Sequence, residues 1–126
     1  MPFSHASVLI VPVTDQDRAL TFYRDVLGFS VYGDNQVAPN MRWIHLRAPN
    51  GGLDLALGDW LDVPAGSIGG LFLDVDDIEA VSAELEAAGL EFSQGIDDTP
   101  FGTFHPFVDP DGNQLILHQA APGLMG

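Results

Sequence analysis

The sequence predicts an α+β fold made of two tandem βαβββ modules, because its secondary-structure signals occur twice in the same order. The segment Val11–Phe29, VPVTDQDRALTFYRDVLGF, is similar to Leu73–Phe92, LDVDDIEAVSAELEAAGLEF. Self-similarity of this length indicates two copies of one supersecondary unit. The matching landmarks are Asp15 and Asp77, 62 residues apart, Gly28 and Gly89, 61 residues apart, and the turns Pro49-Asn50-Gly51 and Pro110-Asp111-Gly112, also 61 residues apart.

Local signals predict the elements of each module. An apolar, β-branched strand at 7–13 precedes Asp15, whose carboxylate suits a helix N-cap. Apolar residues then recur at helical spacing until Gly28, which suits a left-handed helix end. In the second module, Asp76 or Asp77 is the predicted cap and Gly89 the predicted end. The strands that follow the two helices are predicted at 29–33, 41–47 and 53–57, and at 90–94, 102–108 and 113–118.

Length and composition indicate one domain over residues 1–126. With 126 residues, of which 46% are hydrophobic, the chain can bury a core, whereas half of it is near the lower limit of independent stability. We therefore expect the modules to pair, within one chain or between two. The predicted boundaries are 1–58 for module one, 59–67 for a linker, 68–119 for module two and 120–126 for a loose tail.

The charge is strongly negative, with 18 acidic residues against four arginines and a net charge of −14. Such a field disfavours nucleic acid and anionic membranes as partners. It fits either a pocket for cationic or hydrogen-bond-donating ligands or, more simply, a solubilising acidic surface. The sequence has no cysteine, no long apolar run and no signal-peptide pattern. We therefore expect a soluble cytoplasmic protein without thiol chemistry.

Three segments resemble the vicinal oxygen chelate superfamily, which includes glyoxalase I, extradiol dioxygenases and bleomycin-binding resistance proteins. They are DQDRALTFYRDVLGF, DVDDIEAVSAELEAAGLEF and FVDPDGNQLIL, and the resemblance extends over nearly the whole chain. It implies the glyoxalase/bleomycin resistance fold, in which the two modules form cupped mixed sheets. It does not fix the function, because one scaffold serves many chemistries.

The resemblance also gives four positions at which metal-dependent members carry ligands. In this sequence they are Val8, Asp54, Gly70 and Ile116. One carboxylate cannot hold a catalytic divalent ion, so we predict no metal and no other cofactor. The alternative is a divalent metal held by an unorthodox set, and hence a metal-dependent lyase, isomerase or dioxygenase. That set would be Asp54, His45 and His118, with Asp74 or His5.

Strand alternation predicts which side chains face the cup. Leu53, Leu55 and Leu57 should pack on the helices, which leaves Asp54 and Ala56 on the concave side. The predicted surface is apolar and aromatic with a few polar groups, as in small-molecule pockets. The same alternation adds Val8, Ile10 and Pro12, then Met41, Trp43 and His45, then Gly70, Phe72 and Asp74, and finally Gln114, Ile116 and His118.

The candidate ligand-binding residues come from this surface and from two neighbouring segments. Phe101 follows Pro100 in a loop that resembles a groove-lining loop of bleomycin-binding proteins, and Trp60 lies just beyond the fourth strand. Each has a structural alternative: the aromatic residues could fill the space between modules, Trp60 could pack the linker, and His118 could lie at an exposed strand end. The candidates are Trp43, His45, Asp54, Trp60, Phe72, Asp74, Phe101, Phe104, Ile116 and His118.

These observations predict a homodimer that binds, and sequesters, a bulky planar or cationic small molecule in a metal-free cup, as antibiotic-resistance members of the resembled superfamily do. Metal-free catalysis is a third interpretation, with Asp54 or Asp74 as general base and His118 as its partner. The sequence assigns no catalytic residue. It does not identify the ligand, and it does not separate binding from turnover.

Overall fold

The computed structural model describes residues 2–122 and contains the βαβββ unit twice. The helix of the first module runs on into a π-helical segment, and the second module has its helix at the equivalent place. The elements are β1 (Val8–Pro12), α1 (Gln16–Thr21), the π-helical segment (Phe22–Val26), β2 (Ser30–Ala38), β3 (Met41–Arg47), β4 (Asp54–Gly58), β5 (Gly69–Asp74), α2 (Ile78–Ala87), β6 (Asp97–Thr99), β7 (Gly102–Val108) and β8 (Gln114–Ala120).

The two sheets have the same topology, which confirms the predicted fold. Their strand orders are β1-β4-β3-β2 and β5-β8-β7-β6. In each sheet the first strand of the module pairs in parallel with the last, and the remaining neighbours are antiparallel. Strands β1 and β5 are therefore edge strands, while β4 and β8 lie inside their sheets.

The helix signals were predicted correctly at both ends. Asp15 accepts hydrogen bonds from the amides of Asp17 and Arg18, and Asp77 accepts one from Ala80. Asp77, rather than Asp76, is the cap of the second helix. Gly28 and Gly89 have φ values of +84° and +106°, which places both in the left-handed region that ends a helix.

The predicted strand phase is confirmed by the core. Leu55 and Leu57 are fully buried in a cluster that includes apolar residues of both modules. Leu53 is the exception, because it precedes β4 and remains more than one-third exposed. Residues of opposite phase on β3, β4, β5 and β8 face away from this core, so the predicted cup surface exists. The core members from the strands are Val11, Ile44, Leu46, Leu55, Leu57, Phe107, Leu115 and Leu117, with Leu9, Leu71 and Leu73 packed against them.

The sixth strand differs from its prediction. Residues 90–94 are irregular, and pairing with β7 begins at Asp97. The reason is a local packing arrangement in which the ring of Phe92 stacks on His105 at 3.5 Å. His105 also donates from Nε2 to the carbonyl of Gln94 and accepts at Nδ1 from Ser82. This segment therefore covers a core histidine instead of extending the sheet.

A buried polar cluster joins the two modules. Tyr23 donates its hydroxyl hydrogen to Asp109 at 2.8 Å, and burial, followed by Asp109, raises the pKa of Tyr23 above its ordinary value. Asn113 donates from Nδ2 to Asp109 and to the carbonyl of Pro12, while its Oδ1 accepts from the amide of Ile68. Because every polar side-chain group in this cluster has a hydrogen-bond partner, the cost of burying the carboxylate is compensated. Within residues 2–122, neither helix is long and apolar enough to cross a membrane.

Candidate functional site

The cup side of the first sheet carries a row of packed rings. Trp43 on β3 stacks on Trp60 from the linker, with centroids 6.0 Å apart and planes 23° apart. Its indole N–H donates to His45 Nδ1 at 3.3 Å. Trp60 donates its own N–H to the carbonyl of Arg42. Two of the predicted aromatic residues therefore form one platform, and Trp60 belongs to the same surface rather than to the linker alone.

Asp54 is paired on this surface. It accepts a hydrogen bond from His45 Nε2 at 2.8 Å and one from Arg47 Nε at 3.3 Å. These bonds, that from His45 first, lower the pKa of Asp54 below its ordinary value. Because His45 accepts at Nδ1 and donates at Nε2, both its nitrogens are satisfied and its tautomer is fixed. The charge of Asp54 is therefore balanced locally by Arg47.

Tyr32 is a member of this surface that sequence analysis missed. Its ring packs edge-on against His45 at 5.2 Å, and the Arg47 guanidinium lies 3.5 Å from the ring centroid. Strand β2 was predicted to end at 33, but it continues to Ala38 and has a register shift between Val31 and Gly33. Alternation does not hold through such a shift, so periodicity alone could not have found Tyr32.

The cup side of the second sheet carries a second cluster, centred on His118. Asp74 and Phe104 lie directly opposite His118 on the two neighbouring strands. His118 Nδ1 hydrogen-bonds Asp74 at 2.8 Å, Phe104 stacks on the imidazole at 5.1 Å, and Phe72 lies 5.4 Å away. His118 is 4% exposed, so it is not the exposed strand end that was considered. Ile116 occupies the adjacent cup-side position on β8, opposite Phe72.

Phe101 lies apart from both clusters. It occupies the turn between β6 and β7 and is 74% exposed. Thr99 holds this turn, since its hydroxyl donates to the carbonyl of Gly102 and accepts from the amide of Phe101. The role of Phe101 in ligand binding stays a prediction.

The residues present do not fit the metal site of the resembled superfamily. The four ligand positions carry Val8, Asp54, Gly70 and Ile116, and the single carboxylate among them is already bonded to His45 and Arg47. The unorthodox set is also separated, because His45 pairs with Asp54 on one sheet and His118 with Asp74 on the other. In residues 2–122, no group of three or more histidine or acidic side chains is arranged to hold a metal ion.

A groove of about 500 Å³ runs between the modules along the edge of β5. It is mostly apolar and lies on the side of Leu55 and Leu71, yet it reaches Phe72 and Asp74 of the second cluster. Trp43 and His45 do not line it. Across residues 2–122, no ring of the cluster around Trp43 stacks with a ring of the cluster around His118. One chain thus presents two cup walls: the Trp43 wall on the first sheet, and the Phe72 wall, which contains Phe72, Phe104 and His118, on the second.

Two paired βαβββ modules, each with a ring cluster on its cup side, define the class of fold, and comparison with known proteins identifies the family. The chain belongs to the Glyoxalase/Bleomycin resistance protein/Dioxygenase superfamily, whose model matches residues 3–117. This confirms the resemblance predicted from sequence.

Two solved structures and one curated protein illustrate the similarity. TnmS3, an antibiotic-binding protein from Streptomyces sp. CB03234, is 37% identical with a TM-score of 0.88, over 96% of this chain and 99% of that one. A superfamily member from Sphaerobacter thermophilus is 31% identical with a TM-score of 0.85, over 94% and 99%. The uncharacterized protein YetH of Bacillus subtilis is 27% identical over 116 residues, covering 86% of this chain and 92% of YetH.

Proposed function

We propose that this protein binds a small planar molecule in a metal-free cup and sequesters it, as a drug-resistance protein would. The observation that carries the proposal is the platform of Trp43 and Trp60, whose stacked rings lie on a sheet face that is not part of the core. Aromatic platforms held by hydrogen bonds bind planar ligands through stacking and apolar burial. TnmS3, an antibiotic-binding protein, supports a small-molecule ligand.

The exposed carboxylate of Asp74 is the basis on which we propose the charge of the ligand. Asp54 and Asp74 are the two carboxylates among the candidate ligand-binding residues, but Asp54 is already paired with Arg47. The Asp74 side chain is 67% exposed, and its partner here is the imidazole of His118. With a net charge of −14 on the chain, Asp74 favours a cationic or hydrogen-bond-donating group on the ligand.

Acridine, which is planar and neutral at neutral pH, and its N-methylacridinium cation test this proposal. We expect both to quench tryptophan fluorescence on titration, and the cation to bind more tightly at low salt. Metal content is measured on the same protein, purified without chelator. Failure of both probes to bind at millimolar concentration would contradict planar-ligand binding. One tightly bound divalent ion per chain would contradict the metal-free cup.

A further inference from the structure

His118 has an unused hydrogen-bonding atom in the second cup wall. Among residues 2–122, its Nε2 is the buried side-chain polar atom that lacks a partner. The other histidines of the sheets differ: His45 bonds Trp43 and Asp54, and His105 bonds Ser82 and Gln94. Buried polar groups are normally paired, and an unpaired one calls for an explanation.

The bond to Asp74 determines what the free nitrogen can do. A carboxylate only accepts, so the imidazole hydrogen lies on Nδ1, 2.8 Å from Asp74 Oδ1. In the neutral imidazole, Nε2 then carries a lone pair and needs a donor. An unmet acceptor is costly, and a phenylalanine at this position would keep the ring stacking without that cost. The imidazole therefore has a use that packing alone does not explain.

The surroundings indicate which kind of donor fits. Phe104 stacks on the imidazole, and Phe72 packs against both rings. Phe72 is 49% exposed, so its ring can shift to admit a ligand ring at little cost in burial and still line the subsite. Beside Nε2 lies Gly102, where an added Cβ would come within 3.0 Å of this nitrogen. Because this residue is glycine, β7 places no Cβ in the space beside the nitrogen, which the surrounding cluster shields from solvent.

We propose that His118 and Asp74 form a subsite for an aromatic hydroxyl group. The ligand ring lies against Phe72 and Phe104, and its hydroxyl donates to His118 Nε2, while Asp74 holds the imidazole in the accepting tautomer. The inference rests on the proposed function, since it specifies the ligand as a planar phenol. The hydrogen bond is non-covalent and transfers no proton, so the subsite selects the ligand without altering it.

Equilibrium dialysis of the wild-type protein with 2-naphthol and with 2-methoxynaphthalene tests the subsite. In the second probe a methyl group replaces the hydroxyl hydrogen, so it cannot donate a hydrogen bond. We expect 2-naphthol to bind roughly five- to tenfold more tightly, the value of one neutral hydrogen bond. His118→Phe, which keeps a stacked ring, should abolish this preference while its affinity for 2-methoxynaphthalene changes little. Asp74→Asn should reduce the preference, because the amide does not fix the tautomer.

Thermal melts of both variants show whether a change in binding reflects misfolding. Asp74 is largely exposed, so Asp74→Asn provides a folded variant if His118→Phe is unstable. Equal affinity of the wild type for the two probes would overturn the hydroxyl subsite but leave planar-ligand binding intact. Retention of the preference in His118→Phe would also overturn it. If neither naphthalene binds and acridine also fails, the proposed function itself is wrong.

Discussion

Trp43 is held by two contacts before any ligand arrives. The stacking on Trp60 fixes the plane of the indole, and the hydrogen bond to His45 fixes its rotation. His45 is in turn held by Asp54. A ring fixed in this way loses little conformational freedom on binding, which is the usual advantage of a preorganised site. His45 and Asp54 are therefore best understood as residues that position Trp43.

Substitution of Trp43 and Leu55 by alanine separates the two faces of the first sheet. Trp43→Ala should weaken acridine binding roughly thirtyfold, since truncation of a buried anchor commonly costs about 2 kcal/mol. Leu55→Ala should instead lower the free energy of unfolding by about 2–5 kcal/mol, because Leu55 is fully buried in the core. Fluorescence titration and thermal melts measure the two effects. A severe loss of stability in Trp43→Ala with a mild one in Leu55→Ala would contradict this division.

Sequence alternation predicted the face of each strand residue but not its partners. The predicted cup side carries all six of these residues: Trp43, His45, Asp54, Phe72, Asp74 and His118. Their pairing depends on which residues lie opposite each other across the sheet, such as Asp74 and His118 on β5 and β8. That register is set by tertiary packing and is absent from a single strand's pattern. The balance of Asp54 by Arg47 could not be predicted for the same reason.

At the level of elements, the internal repeat predicted the order and type of nearly every strand and helix. The exceptions have local causes. The first helix widens where the amide of Leu27 bonds the carbonyl of Phe22, five residues earlier. The sixth strand shortens because Phe92 is used to cover His105. Neither feature belongs to a periodic pattern, since the first is a local change in backbone hydrogen bonding and the second depends on a contact with a residue of another strand.

The start of β7 provides a test of the second cup wall. Gly102 has a φ of +142°, and an added Cβ would lie 3.0 Å from His118 Nε2 and 3.1 Å from the carbonyl oxygen of Gln119. Gly102→Ala should therefore lower the free energy of unfolding by about 1–3 kcal/mol, through backbone strain and the shift of His118.

Gly95→Ala is the matched control for this substitution. Nothing lies within 4 Å of its added Cβ, and its φ is not in the left-handed region. Denaturant unfolding of both variants makes the comparison. Equal stability of the two variants would show that the contact between Gly102 and His118 is not tight.

At the level of the whole molecule, the modules share one core and one buried polar cluster, while their cup faces remain open. Tyr23, Asp109 and Asn113 join the modules on the core side. On the opposite faces, large apolar side chains are left in contact with solvent. An apolar surface of this kind on a small protein usually marks a binding face. The exposed members include Tyr32, Phe72 and Val108.

We expect two chains to associate so that each cup is completed. A second copy can bring a Trp43 wall opposite a Phe72 wall, which one chain does not do in residues 2–122, and two-fold symmetry would form two equal sites. Each chain carries −14, so repulsion should oppose association at low ionic strength and added salt should relieve it. Sedimentation velocity at micromolar concentration should show a dimer whose dissociation constant decreases with added salt. A monomer at every salt concentration would contradict a shared cup.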